Sequence, residues 1–222
     1  MLIANRFVLP SSTVLDVGCG RGFFTFACAK RARFVLGLDL MDGNERVGWW
    51  KEFSESAVLL KVDGRIAGAR ACASNIPVAG ESFDLVATVH AIRNFGAKRE
   101  IKTFFSEAMR VLRRGGRILL VETDLEARPY RAYRAFYALR VKLGWELKLP
   151  PFADMIKWLK EVGFSGVSAR SIETGLRYAP LYLPFDRTTM KDVEDAYHEA
   201  ARLRKKEGDR HPPIIVITGT KR

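Results

Sequence analysis

The stretch Thr13-Val14-Leu15-Asp16-Val17-Gly18-Cys19-Gly20-Arg21-Gly22 decides the fold. Its first five residues are an apolar run of strand length, and the glycines at 18, 20 and 22 break it before Phe23 to Arg31, which suits a helix. Strand, tight loop and helix in that order begin a βα unit. Glycine lets such a loop turn sharply and leaves its backbone bare where a ligand must approach, while Asp16 brings a carboxylate to the strand tip. A nucleotide-like ligand is implied. The spacing alone does not choose among such ligands, because dinucleotide enzymes use a related G-x-G-x-x-G loop.

Outward from this loop the pattern repeats. Phe34 to Leu40 is a second β-rich run, closing on Asp39 and followed by a helical stretch with Trp49, Trp50 and Phe53. Val58 to Val62 and Ile66 to Cys72 flank Asp63-Gly64, a dipeptide of tight turns, which predicts an extra hairpin leading into the third main strand. Phe83 to His90 reads as a fourth strand and Ala97 to Leu112 as a helix stopped by Arg113-Arg114-Gly115-Gly116. Arg117 to Glu122 is the fifth strand. After Thr123 the rhythm breaks into one aromatic and basic helical segment, Arg128 to Leu149. Asp154 to Val162 then reads as a helix, Val167 to Ile172 as a sixth strand, Met190 to Lys206 as a charged helix and Ile214 to Thr218 as a closing strand. Strands alternating with helices at this spacing imply an α/β fold, with a doubly wound, mostly parallel sheet and helices on both faces. The whole chain, 1–222, reads as one Rossmann-like domain of seven strands with an antiparallel last strand. It carries a helical insertion at about 125–151, placed to act as a lid, and a second insertion at about 177–210.

Composition narrows the function classes. At 222 residues with 48% hydrophobic and 28% charged side chains, the chain has the make-up of a protein that buries a full core. No apolar run approaches the roughly 18 to 20 residues needed to cross a bilayer, and Met1 to Pro10 lacks the pattern of a signal peptide, so a cytoplasmic chain is expected. Cys19, Cys28 and Cys72 lack paired zinc spacing, so free thiols and no metal are expected. The formal charge of +12 favours anionic partners such as nucleic acid or an acidic membrane surface. A thermophile's charged surface accounts for it as well, since the chain has no glutamine and only four asparagines. The charge is also spread out, +5 over residues 1–124 and +7 over 125–222, which makes nucleic acid the lesser expectation.

Together, Val14 to Gly22, Gly37-Leu38-Asp39, Ser82-Phe83-Asp84-Leu85-Val86 and the Arg-Gly-Gly-Arg turn at 114 to 117 resemble the class I S-adenosylmethionine-dependent methyltransferases, of the type 11-like kind. The resemblance covers about residues 12 to 123, and again Phe152 to Phe164. Ala91-Ile92-Arg93-Asn94-Phe95 and the helix after it are similar to the quinone-ring C-methyltransferases of menaquinone and ubiquinone synthesis. What the resemblance implies is S-adenosyl-L-methionine as cofactor. Gly18, Cys19, Gly20 and Gly22 would then hold its amino acid end, Asp16 the strand tip beside it, Asp39 the ribose and Leu40 one adenine face. The family often has Asp-Ala where this chain has Cys72-Ala73; a thiol does not replace a carboxylate acceptor, so adenine recognition would rest on the Ala73 backbone. Asn75-Ile76-Pro77 would border the adenine and His90 the methionine end.

Neither a proline-cysteine nucleophile motif nor an Asn-Pro-Pro-Tyr type motif is present. His90, an imidazole at a strand tip, is the first candidate for a general base, with Tyr133 or Tyr137 behind it. Tyr130, Tyr133 and Tyr137 recur at helical spacing with Arg134 and Arg140, predicting an aromatic and basic face over an acceptor pocket. The expected reaction is methyl transfer to a small-molecule acceptor, quinone-like or aromatic. An RNA or protein methyltransferase recruited by charge, and a non-catalytic cofactor-binding subunit, are the alternatives.

Overall fold

The computed structural model describes residues 2–41, 48–128, 130–142, 149–174, 198, 202 and 211–222. In chain order the elements are α1 (Leu2–Phe7), β1 (Thr13–Val17), α2 (Phe23–Ala29), β2 (Phe34–Asp39), α3 (Trp49–Leu59) and β3 (Ile66–Arg70). There follow β4 (Phe83–Val89), α4 (Lys98–Val111), β5 (Leu112–Thr123), α5 (Arg131–Lys142), α6 (Phe152–Val162), β6 (Ser165–Ile172) and β7 (Ile214–Thr220). The strands form one seven-stranded sheet in the order β3-β2-β1-β4-β5-β7-β6. Pairing is parallel from β3 through β5, whereas β7 runs antiparallel to both of its neighbours.

The two-residue period of the strands sorts their side chains onto two cores. Leu15, Val86, Ile118 and Leu120 pack under Phe104, Phe105 and Ala108 of α4 and Met155 and Leu159 of α6. Val14, Val35, Leu85 and Leu119 face the other way, against Phe26 of α2, Phe53 and Ala57 of α3 and Ala4 of α1. The expected layering, helices on both faces of a mostly parallel sheet, is thus present. No helix among the described residues is long and apolar enough to cross a membrane.

The expected hairpin is absent. Val58 and Leu59 complete α3, the Val62 amide bonds the Ala57 carbonyl, and Asp63-Gly64-Arg65 is a single 3-10 turn. β3 pairs with β2 in parallel, and a parallel pair needs a crossover rather than a tight turn. Arg113 to Gly116, read as a helix stop, is an irregular start to β5: Phe83 pairs with Leu112, and two residues later Leu85 pairs with Arg117. Of the long segment Arg128 to Leu149, α5 occupies Arg131–Lys142, and 143–148 lie outside the described residues. The expected charged helix Met190 to Lys206 and the insertion at about 177–210 also lie outside them, apart from His198 and Arg202, which have helical backbone and are exposed.

Candidate active site

The glycine loop closes on the end of β2. The Gly18 and Cys19 amides both donate to the Leu38 carbonyl, at 2.7 and 3.0 Å, and the Gly20 amide donates to Asp39 Oδ2 at 2.9 Å. Asp39 Oδ1 accepts the Met41 amide at 2.9 Å. A carboxylate accepts through two oxygens, a chemistry that suits a pair of hydroxyl donors. Two glycines are needed for shape. At Gly18 (φ +76°) a side chain would collide with Ala91, and at Gly22 (φ +88°) it would stand 2.6 Å from Phe26 and 2.7 Å from Phe53.

Above this loop, at the carboxyl ends of β1, β2 and β4, opens a cavity of about 410 Å³. Its walls come from Asp16 to Arg21, Asp39-Leu40, Trp49, Ala71 to Ala73 and Val89 to Ala91, with Phe23, Phe24, Asn94 and Phe95 closing the sides. A cleft of this size at the switch point of strand order is where open α/β sheets bind ligands. Arg21 stacks on Trp49 at 5.3 Å and pairs with Glu52 at 3.2 Å, bracing the rim. Asp16 is 1% exposed and accepts the Thr25 hydroxyl at 2.6 Å. Burial, with a further push from Asp39, raises its carboxyl from 3.8 to about 7, against the pull of the Thr25 hydrogen bond. Burial likewise pushes the Cys19 and Cys28 thiols up, so neither supplies a thiolate nucleophile.

Beside the cavity, where β4 and β5 end, lies a buried ion pair. Glu122 is 2% exposed and accepts the Ile92 amide at 3.1 Å and Arg93 Nη2 at 2.5 Å. Burial alone would raise its carboxyl, but the Arg93 guanidinium and the His90 ring hold it below the ordinary value. His90 has φ +55°, unusual for a residue with a side chain, and its amide is tied to the Val121 carbonyl at 2.8 Å. That backbone sets Nδ1 3.8 Å from Glu122 Oε2 while leaving the side chain 43% exposed.

The methyltransferase domain family matches residues 15–120 of this chain, the segment that builds the cavity. Residues 15–120 thus carry a methyltransferase domain, and the chain is an S-adenosylmethionine-dependent methyltransferase. A demethylmenaquinone methyltransferase of Clavibacter sepedonicus is 27% identical to it over 196 residues, covering 78% of this chain and 74% of that one. A ubiquinone/menaquinone biosynthesis C-methyltransferase UbiE of Rhizobium johnstonii is 34% identical over 117 residues, 51% of this chain and 42% of that one. Among solved structures, the YcgJ protein of Bacillus subtilis shares the fold, with a TM-score of 0.70 at 18% identity over 100% of this chain and 97% of that one.

In this methyltransferase Asp16, Gly18, Cys19, Gly20, Asp39, Leu40, Cys72, Ala73 and His90 all line the cavity. Gly22 sits behind it, at the start of α2, where its bare backbone admits the two phenylalanine rings. Asn75-Ile76-Pro77 is not part of the cavity wall: Ile76 is 2% exposed in the core, and its amide donates to Glu107 at 2.8 Å. The three tyrosines do not share a face over the cavity either. Tyr130 reaches Glu173 at 3.2 Å and Tyr133 reaches Thr123 at 3.3 Å. The Tyr137 hydroxyl accepts the Leu149 amide at 2.6 Å, and its ring stacks on Arg93. The side chain of Arg140 lies outside the described residues, and Arg134 donates to the Ala127 carbonyl at 2.6 Å.

Glu122 and His211 are the residues that sequence reasoning did not single out. His211 packs its ring edgewise on Tyr133, with centroids 5.1 Å apart, and its Nδ1 faces the Pro212 carbonyl at 2.7 Å. Burial first, then the charges of His90 and Arg93, push it toward the neutral form. The signal for it was topological. An antiparallel last strand beside β5 pairs Thr123 with Ile214, which returns the residues before β7 to the catalytic end of the sheet.

Proposed function

We propose that this enzyme methylates a small ring compound, quinone-like or otherwise aromatic, bound between the cavity and the segment at about 125–151, which serves as its cover. The observation that carries this reading is the position of His90, in the cavity wall and 3.8 Å from a buried carboxylate. The names of the Clavibacter and Rhizobium relatives point the same way.

The residues present suit S-adenosyl-L-methionine: a glycine-lined wall, a two-oxygen acceptor at Asp39, and apolar Leu40 and Ala73 where a flat base would lie. When bound, that cofactor supplies a methyl group already activated on a sulfonium. The protein's work is then mainly alignment and exclusion of water. The Gly18 to Gly20 backbone and Asp39 form one part of the cavity wall, and Asn94 and Phe95, the latter packed beside Gly18, form another. A phenol or an acidic ring carbon must lose a proton as the new bond forms. In this reading His90 takes that proton, and Glu122, ionised beside Arg93, stabilises the resulting imidazolium. Tyr133 and Tyr137 act indirectly, since each hydroxyl already has a partner.

A labelled-methyl assay of the purified enzyme against small-molecule, RNA and protein fractions tests the reading. Label is expected in the small-molecule fraction, lost in His90→Ala with cofactor binding retained. Label confined to RNA or protein, or to none of the fractions, overturns it.

A further inference from the structure

We propose that the end of the sheet opposite the cavity docks on an anionic lipid surface, a property independent of which acceptor is methylated. At this end β1, β2 and β3 begin, and exposed Lys30, Arg31, Arg33, Lys61, Arg65 and Arg114 surround them. None of these six makes an ion pair with a described residue. They form one patch because local structure ties their segments together. The Arg33 amide donates to the Ser12 carbonyl at 3.0 Å, and Arg31 Nε reaches the Val8 carbonyl at 3.3 Å. Val35 pairs with Ile66, which sets the starts of β2 and β3 side by side, and Arg113 reaches the Thr13 hydroxyl at 2.9 Å, bringing Arg114 to the same end. Carboxylates here are largely engaged: Glu81 meets Lys221 at 3.4 Å and Asp84 meets Arg113 at 3.0 Å, while Asp63 stands exposed.

Aliphatic side chains stand in the open among these cations. Leu9 is 58% exposed, Val58 63% and Leu59 82%. Cations interleaved with protruding aliphatic groups suit an acidic bilayer, where the first meet the headgroups and the second enter the acyl boundary. A single-stranded nucleic acid would instead call for exposed rings on which bases stack. At this end Phe7 is covered by Arg6 and Arg117, each within 6 Å of its ring centre. Docked in this way, the protein turns its cavity to the aqueous side.

Flotation of the full chain with vesicles of phosphatidylcholine alone, and of phosphatidylcholine mixed with phosphatidylglycerol, tests the proposal. Binding is expected to the mixed vesicles only and to fall as salt shortens the screening length from about 10 Å to about 3 Å. Arg33→Ala and Arg65→Ala should each weaken it about fivefold, and Leu59→Ser about tenfold. All three variants should keep wild-type thermal unfolding and cofactor binding, since these side chains are exposed and far from the cavity. Equal binding to both vesicles, no binding, full retention in the variants, or preferential binding to single-stranded RNA at the same salt would each overturn it.

Discussion

Protonation of Asp16 gives the enzyme a pH dependence whose sign follows from burial. The carboxyl titrates at about 7 in the folded protein against 3.8 when unfolded, because it is 1% exposed and faces a second carboxylate. Below the unfolded value both states carry the proton and the group is neutral to stability. As pH rises, the unfolded chain ionises first while the folded chain holds its proton, so stability falls at about 1.4 kcal/mol per pH unit until the folded value is passed. The full loss, spread over roughly three units, is about 4 kcal/mol. Asp16→Asn removes the titration and keeps the shape. Any fixed cost of its amide is the same at every pH, so only the difference in slope matters. Denaturant unfolding of both proteins between about pH 4 and about pH 8 should show the variant gaining steadily on wild type and then levelling off above about 7. A difference independent of pH would refute the reasoning. The same group predicts proton release on binding: a cationic ligand beside Asp16 favours the carboxylate, so S-adenosylmethionine should bind more tightly above about pH 7 than below it. Calorimetric heats should accordingly vary with the ionisation enthalpy of the buffer.

Asp39→Ala removes the carboxylate proposed to accept two cofactor hydroxyls and also frees the Gly20 and Met41 amides that it pins. At roughly 1.5 to 3 kcal/mol per hydrogen bond to a charged group, cofactor affinity measured by calorimetry should fall at least tenfold. Arg93→Ala leaves Glu122 ionisable and buried, with the Ile92 amide and the His90 ring but no guanidinium beside it, so equilibrium unfolding at neutral pH should show a loss of about 3 to 5 kcal/mol. Adding Glu122→Gln should recover part of that loss, and a double variant no more stable than Arg93→Ala would contradict the assignment. Gly22→Ala forces a side chain into φ +88° and against two rings, and should cost about 2 kcal/mol or more in the same measurement.

The cofactor half of the site was legible because backbone geometry demands particular residues there. Gly18 and Gly22 admit no side chain, and Asp39 must close β2 to hold the loop of β1, so spacing along the chain already encodes the contact. The third unit was misread because Val58 to Val62 has a strand's composition. The run instead ends a helix, since the parallel neighbour β2 needs a crossover and Ala57 and Val62 are buried in the core under it. Asn75 to Pro77 was set against the ligand by its place beyond the third strand, yet the Glu107 carboxylate captures the Ile76 amide and the Ile76 side chain turns into the core, while Asn75 and Pro77 stay exposed.

The acceptor half was less legible because it depends on residues that meet only through topology. Glu122 reads as the polar end of an apolar strand until Arg93, from a different loop, closes on it. His211 reads as a loop residue until the reversed direction of β7 returns it to Tyr133. The tyrosine spacing on α5 was correct as a helical pattern, but the hydroxyls of Tyr133 and Tyr137 are taken up by Thr123 and the Leu149 amide. Their arrangement constrains which proton acceptor remains at the cavity. His90 lines it, whereas His211 does not, and with its Nδ1 hydrogen given to Pro212 it presents only Nε2 as an acceptor. Of the two imidazoles, His90 alone both reaches the cavity and has a carboxylate ready to offset the charge it would gain, which is why the proposed proton transfer is placed at His90.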